Sequence, residues 1–140
     1  MVIVPYDELD ANVVELVRAI NSFPGIYTVG SCGGHPNNQD FQSREGTFDI
    51  VLQLEVESMR PTEDAWLSLE FLVYIFNNVF YGTGIKVFVG PYSAPPHYNE
   101  PGSTITFRAG GEENPDEIAE LLLDQKNQWF LVWKQAAEEQ

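Results

Sequence analysis

The residues of this chain that are best suited to chemistry lie in the stretch 30–38, which reads GSCGGHPNN. It contains the only cysteine, Cys32, and one of the two histidines, His35, three positions apart. A thiol and an imidazole can act together as a nucleophile and a base, or as two ligands of one metal ion. The glycines beside them allow positive φ angles and leave space next to the backbone, so we expect both side chains to be exposed on a turn.

Neither a metal site nor a catalytic cysteine follows from this pair alone. A tetrahedral ion needs further ligands, and the candidates are His97 and a carboxylate at Asp40, Asp49 or Glu100. Structural zinc sites bring two tight ligand pairs and this chain has one, so we predict no metal site. A nucleophilic thiol needs a base and an orienting group beside it, and the sequence places neither, so no catalytic residue is assigned. For Cys32 the simplest interpretation is a small residue that packs the base of the loop.

A small polar ligand, nucleotide-like in its chemistry, is the binding partner that we predict. The backbone N–H groups of residues 31–34 are expected to form an anion-binding concavity, and tyrosine and asparagine side chains offer stacking and hydrogen bonds. The predicted ligand-binding residues are Ser31, Cys32, Gly33, Gly34, His35, Asn37, Tyr92, His97 and Tyr98. The sequence does not identify a cofactor.

The two loops that carry these residues, 30–46 and 90–102, are expected to form one edge of the sheet. Each begins after a Val-Gly pair, contains a histidine and an asparagine, and ends on a glycine. We interpret this similarity as a weak internal duplication of a helix–strand–strand unit. If an approximate two-fold axis relates the halves, we expect His35 and His97 to converge with Cys32 on one hollow.

Hydrophobic periodicity predicts a single α+β domain over residues 1–140, with three helices and an antiparallel or mixed sheet. Apolar residues recur every three to four positions in 7–22, 61–81 and 115–136, which predicts helices, with Asp7 as the cap of the first. Alternation and β-rich runs predict strands at 26–29, 47–55, 85–89 and 103–109. The predicted order is α-β-β-α-β-β-α. The second helix is apolar nearly all round, so it is expected to lie in the core or to mediate homo-oligomer formation through residues 63–81.

The composition limits which partners and which cellular location are expected for the protein. The 140 residues include 21 acidic and 7 basic side chains, a formal net charge of −14. General binding to nucleic acid is not expected, because contacts to phosphate depend on Lys and Arg. No apolar run reaches the roughly 20 residues of a membrane-spanning helix, and the first residues do not have the pattern of a signal peptide. Together with a single cysteine, these features predict an acidic cytoplasmic protein without a membrane partner.

A resemblance to a known family covers residues 16–37, which read LVRAINSFPGIYTVGSCGGHPN. The Ile-Asn-Ser helix end, the Tyr-x-Thr strand and the Ser-Cys-x-Gly turn resemble those of the tRNA wybutosine-synthesis methyltransferase family. The later stretch 72–87, which contains YGTGI at 81–85, is loosely similar to a Gly-Phe-x-x-Ser-Gly-Ile segment of that family. The resemblance implies a compact α+β fold, motif positions at Ser31, Cys32 and Gly34, and methylation of RNA with S-adenosylmethionine. The chain departs from the motif at Gly30 and Gly33, where the family has serine, and at His35, where it has arginine.

Three functions are compatible with these observations. The first is binding of a small polar ligand by the two loops. The second is a non-catalytic interaction protein, which captures a basic partner through its acidic surface or self-assembles through the second helix. The third is an S-adenosylmethionine-dependent methyltransferase-like enzyme that acts on RNA. Whether the protein is an enzyme is left open by the sequence.

Overall fold

In a computed structural model, which describes residues 6–36, 43–58, 60–89 and 105–138, the chain forms three α-helices and six strands. The elements are α1 (Val14–Asn21), β1 (Ile26–Cys32), β2 (Phe48–Leu54), β3 (Val56–Glu57), β4 (Arg60–Pro61), α2 (Glu63–Tyr74), β5 (Thr83–Val89), β6 (Ile105–Gly111) and α3 (Pro115–Glu138). Apart from the short β3–β4 hairpin, this is the predicted order α-β-β-α-β-β-α. The α+β class is confirmed.

Four of these strands form one antiparallel sheet in the order β1-β2-β6-β5, and β3 pairs separately with β4. Of the two predicted sheet types, the antiparallel one therefore forms. Strands β1 and β2 make one hairpin, β5 and β6 make the other, and β2 pairs with β6 in the centre of the sheet. Each helix–strand–strand unit thus contributes one hairpin to a shared sheet.

One face of the sheet packs against the helices. On β2, Phe48, Ile50 and Leu52 are at most 3% exposed, and they alternate with residues on the opposite face because successive strand side chains point in opposite directions. The helical residues of this core that are at most 1% exposed include Leu16, Ile20, Phe71, Leu72, Ile75, Ile118 and Leu122. Burying one such side chain contributes about 1.5–3 kcal/mol, so this layer is the main source of stability.

The first helix is shorter than the periodicity predicts. The region 7–22 divides into two 3-10 turns, Tyr6–Glu8 and Ala11–Val13, and the helix α1. Between the turns Asp10 is extended, with φ −58° and ψ 131°. The predicted cap at Asp7 is wrong, because α1 begins only at Val14 and has no side-chain cap. The backbone of Asp10 is extended and not helical because its carboxylate is hydrogen-bonded to the segment after β1.

The second helix agrees with its predicted start and is only partly covered. Thr62 caps α2, and its hydroxyl accepts a hydrogen bond from the Ala65 N–H at 3.2 Å. After α2 the chain continues as a π-helical turn over Ile75–Val79. The inner side of the helix lies in the core, whereas Trp66 and Tyr74 on the outer side are about half exposed. Among the described residues, no helix combines the length and apolar character that crossing a bilayer requires.

The two hairpins repeat one pattern at a constant separation. Strand β5 begins 57 positions after β1 (83 against 26), and β6 begins 57 positions after β2 (105 against 48). All four strands have seven residues. In the central pairing Val51 lies opposite Arg108, and these two positions are also 57 apart (108 against 51). A local two-fold axis therefore passes between them. The repeat supports the internal duplication, which stays a prediction.

The sequence predicts that loops 30–46 and 90–102 form one edge of the sheet. The strand ends that flank these loops contradict this prediction, because they lie at opposite ends of the sheet. Phe48, where β2 begins, pairs with Gly111, the last residue of β6. Val89 and Ile105 pair with each other at the other end of β6, about 20 Å away at the usual rise per residue. The reason is the two-fold axis, which relates the end of β1 to the end of β5 and therefore places these two strand ends at opposite ends of the sheet.

Candidate functional site

The thiol singled out from the sequence belongs to strand β1 and not to the turn that follows it. Cys32 is the last residue of β1 and is 5% exposed, so the expectation of an exposed cysteine is wrong. The strand continues past its predicted end through a β-bulge at Val29, between Thr28 and Gly30. Beyond the bulge Cys32 lies opposite Asp49, on the face of the sheet that points away from the helices.

Asp10 joins the segment after β1 to the region before the first helix. Its Oδ2 atom accepts a hydrogen bond from the Gly33 N–H at 2.8 Å and lies 3.2 Å from Nε2 of His35. With the proton on Nε2, the imidazole donates to this carboxylate and keeps Nδ1 as an acceptor. The Asn12 side-chain amide also donates to the Gly33 carbonyl at 2.9 Å. These contacts hold the Gly33 backbone on both its N–H and its carbonyl side.

The returning part of the loop holds Cys32 and His35 from the other side. The Ser43 N–H donates to Sγ of Cys32 at 3.3 Å, and the Ser43 carbonyl accepts from the His35 N–H at 3.0 Å. His35 also forms an isolated parallel β-bridge with Arg44. The backbone of Ser43 therefore positions both the thiol and the imidazole.

The two glycines between Cys32 and His35 are required by close packing and not by space for a ligand. Gly34 has a φ of +95°, and a Cβ atom there would lie 2.5 Å from the carbonyl oxygen of Thr47. At Gly33 a Cβ atom would overlap the side chain of Asn12. The turn is thus compact where the sequence suggests an open loop.

Asp10, Cys32 and His35 together form a cluster, in which one ligand atom from each residue lies within 4.8 Å of the other two. Asp10 and His35 are 25 positions apart in the chain and have 38% and 36% of their side chains exposed. Cys32 is buried beside them. The cluster presents oxygen, nitrogen and sulfur donors in one place and can be reached from solvent through its carboxylate and imidazole.

Asp49, the neighbour of Cys32 on β2, is already engaged by another residue. Its Oδ2 atom lies 2.7 Å from Nη2 of Arg108, and both side chains are mostly buried. Burial raises the pKa of the Asp49 carboxyl, and the charge and hydrogen bond of Arg108 act in the opposite direction. The carboxylate that joins the cluster is therefore that of Asp10.

Some of the predicted ligand-binding residues contribute to the cluster and others do not. Cys32, Gly33 and His35 take part directly, and Gly34 shapes the turn. Ser31 lies opposite Ile50 and therefore faces the helices, where its hydroxyl oxygen is buried and makes no hydrogen bond among the described residues. The other candidates lie outside the described residues, and these are Asn37, Asp40, Tyr92, His97, Tyr98 and Glu100.

The predicted anion-binding concavity along residues 31–34 stays a prediction, but one of its N–H groups is occupied. The N–H group of Gly33 is bound by the carboxylate of Asp10. Just outside the predicted range, the N–H group of His35 is bound by the carbonyl of Ser43. An anion at this turn would also meet the negative charge of Asp10.

Asp10 is the residue of the cluster that the sequence does not predict. The helix predicted for residues 7–22 includes Asp10 and would keep its side chain far from the cysteine. One signal lies in the sequence, because Asp10 and Asn12 stand between the first two periodic residues, Leu9 and Val13. Asp and Asn favour the ends of helices over their interiors, since their side chains compete for backbone hydrogen bonds.

The resemblance to the wybutosine-synthesis methyltransferases, which covers residues 16–37, stays a prediction. Comparison of the chain with protein-family models, with curated proteins and with solved structures finds no match.

Proposed function

We propose that this protein binds a small polar ligand at the end of β1, through the side chains of Asp10, Cys32 and His35. The observation that supports this function is the convergence of a carboxylate, a thiol and an imidazole within 4.8 Å. The groups come from two segments, one before α1 and one at the end of β1, and backbone hydrogen bonds position each of them. Such preorganised polar groups are typical of sites that fix the orientation of a ligand.

The chemistry of the cluster favours ligands that carry a positive centre or hydrogen-bond donors. The carboxylate of Asp10 accepts hydrogen bonds and carries a negative charge, and a neutral imidazole has one nitrogen that accepts a hydrogen bond. A phosphate group would face repulsion from Asp10 and would find the nearby Gly33 N–H already occupied. A nucleotide-like ligand is therefore expected to present its base or an amino group to the cluster.

A thermal-shift screen in the presence of EDTA tests this function. The panel contains nucleosides, nucleotides, amino acids, small amines and S-adenosylmethionine, the last of which also tests the methyltransferase resemblance. A true ligand at 100 times its Kd stabilises the folded chain by about 2.7 kcal/mol and raises its Tm.

Two histidine variants locate the site. His35→Ala is expected to abolish the shift, whereas the matched variant His97→Ala is expected to retain it. If both variants keep the same thermal shift, the ligand binds away from the cluster and the proposed site is refuted. Absence of any shift across the panel, together with no binding of a metal ion, would refute the function itself.

Self-association is a second candidate, because aromatic residues remain exposed on the outer side of α2. Trp66 and Tyr74 are 50% and 48% exposed, and Tyr74 stacks on Trp129 of α3 with ring centroids 5.9 Å apart. One helical turn further along α3, Val132 is 57% exposed. We propose that this surface joins two copies of the chain.

Light scattering coupled to size-exclusion chromatography tests the second candidate. The expected result is a dimer for the unmodified chain and a monomer for Trp66→Gln. Tyr81→Gln is the control, because Tyr81 is 94% exposed and precedes β5. A monomer at all concentrations would remove self-association and leave capture of a basic partner, which is expected to weaken with salt.

A further inference from the structure

We infer that the ligand at the end of β1 is a divalent transition-metal ion of the zinc type, held by Asp10, Cys32 and His35. The inference rests on the proposed function and names the ligand of the same site. A cysteine sulfur, a histidine nitrogen and a carboxylate oxygen are the three ordinary ligands of zinc. Magnesium and calcium prefer sites made of oxygen alone, so the sulfur and nitrogen donors disfavour them.

The distances in the cluster are close to those of a tetrahedral site. With bonds of about 2.0–2.3 Å to zinc, two donor atoms of a tetrahedron lie about 3.3–3.6 Å apart. Oδ2 of Asp10 and Nε2 of His35 are separated by 3.2 Å, and no pair among the three donor atoms exceeds 4.8 Å. The donor atoms therefore need to approach one another by at most about 1.2 Å to reach the distances of a tetrahedral site.

The groups around the donors match what a metal site needs. Metal ligands are usually oriented by hydrogen bonds from a second layer of residues. Here the Gly33 N–H donates to Asp10 at 2.8 Å and the Ser43 N–H donates to Cys32 at 3.3 Å. The strongly negative chain, with a formal charge of −14, also attracts cations.

Three protein ligands leave one position of a tetrahedral ion for water or for a second small ligand. The side chains of Asp10 and His35 are both more than one-third exposed, so solvent reaches the cluster on that side. When the ion binds, Sγ of Cys32 forms a bond to the metal and the thiol proton passes to water, while Nε2 of His35 binds the metal and the neutral imidazole carries its proton on Nδ1.

Titration of the full chain with Co²⁺ tests the metal site. The protein is first reduced and freed of metal with a chelator that is then removed. One equivalent of Co²⁺ is expected to produce a thiolate-to-cobalt charge-transfer band and the strong visible bands of a tetrahedral ion. Zn²⁺ is expected to displace Co²⁺ and to abolish both signals.

Single substitutions assign the ligands. Cys32→Ser is expected to remove the charge-transfer band, and His35→Gln and Asp10→Asn are expected to weaken Co²⁺ binding at least about tenfold. Asp7→Asn and Asp49→Asn are the matched controls, and both are expected to bind Co²⁺ like the unmodified chain. Circular dichroism establishes that each variant is folded, and His35→Gln keeps the site testable if Asp10→Asn unfolds.

The outcomes separate this inference from the proposed function. Failure of the unmodified chain to bind Co²⁺ or Zn²⁺ would overturn the metal site, as would an unchanged charge-transfer band in Cys32→Ser. If the chain binds no metal but a small molecule raises its Tm in EDTA, the proposed function stands and only the metal assignment fails. If neither binds, both fail.

Discussion

The two helix–strand–strand units, α1-β1-β2 and α2-β5-β6, share the same connection between helix and strand. In the first unit the side-chain oxygen of Asn21 accepts a hydrogen bond from the Thr28 N–H at 3.0 Å. In the second unit Asn77 accepts one from the Ile85 N–H at 2.8 Å. Thr28 and Ile85 are 57 positions apart, which is the separation of the strands. The same contact therefore fixes the strand to the preceding helix in both units.

The units differ in how their first strand pairs with its neighbour. Strand β5 pairs with β6 without interruption, so that Val89 lies opposite Ile105. Strand β1 contains a bulge, which places Cys32 opposite Asp49 instead of Phe48, the counterpart of Ile105. One extra residue thus turns the thiol from the helical face to the opposite face. The candidate site arises where an otherwise symmetric framework loses its symmetry.

The largest expected effect compares two glycines at equivalent positions before β1 and β5. Gly25 and Gly82 have φ values of +77° and +76°, so alanine is strained equally at both. At Gly25 a Cβ atom would also lie 2.6 Å from the backbone nitrogen of Ala65, whereas at Gly82 the nearest atom is 3.8 Å away. We expect Gly82→Ala to lower the free energy of unfolding by about 1 kcal/mol and Gly25→Ala by about 3 kcal/mol or more.

Urea titration of the two alanine variants measures this difference directly. If both variants lose a similar amount of unfolding free energy, the backbone of α2 near Gly25 moves to accept the added Cβ atom without a cost in stability. In that case positive φ alone would account for both glycines.

A smaller difference is expected between the two asparagines that connect helix to strand. Asn21 makes two further hydrogen bonds, to the carbonyl of Val17 and to the hydroxyl of Thr28, and it is partly buried. We expect Asn21→Ala to lower the free energy of unfolding by about 2 kcal/mol and Asn77→Ala by about 0.5–1 kcal/mol. Chemical denaturation measures both losses. A larger loss for Asn77→Ala would show that the second unit depends more on this contact than its exposure indicates.

The smallest expected effect concerns the charged pair beside the two-fold axis. Asp49 and Arg108 form an ion pair, whereas their counterparts Thr106 and Val51 are uncharged and at most 3% exposed. Because burial raises the pKa of Asp49 above 3.8, the folded state binds its proton more tightly than the unfolded state. The contribution of Asp49 to stability therefore grows as pH falls through the folded pKa and is lost as pH rises.

Denaturation of the unmodified chain and of Asp49→Asn at a series of pH values isolates this contribution. The stability of the unmodified chain relative to the variant is expected to increase, by less than about 1 kcal/mol, as pH falls from 7 towards 4. A decrease over the same range would mean that attraction to Arg108 outweighs the cost of burial.

Much of the fold could be predicted because it depends on local patterns. Apolar alternation over 47–55 predicts β2, and the Asn-Pro-Asp-Glu start at 114–117 predicts α3. The bulge in β1 could not be predicted, because it depends on which residues of β2 lie opposite the strand. The same holds for the start of α1, where the tertiary contacts of Asp10 outweigh the helical periodicity.

The candidate site was predicted in part. Cys32 and His35 were identified from their residue types and close spacing, which the chain itself carries. Asp10 was missed because its partner His35 lies 25 positions away, and no local pattern reports such a contact. The strand ends that flank the two loops do not meet, because the antiparallel pairing of β2 with β6 places the start of β2 and the start of β6 at opposite ends of the sheet.

The sequence by itself determined the α+β class, the order of the elements and the side chains that are able to bind a ligand. These properties depend on residue type and on periodicity over a few residues. Only the tertiary structure decided which carboxylate meets the thiol and which face of the sheet the thiol occupies. Both outcomes depend on the register between strands and on hydrogen bonds between distant segments, and a shift of one residue in a strand reverses the face of every side chain beyond it.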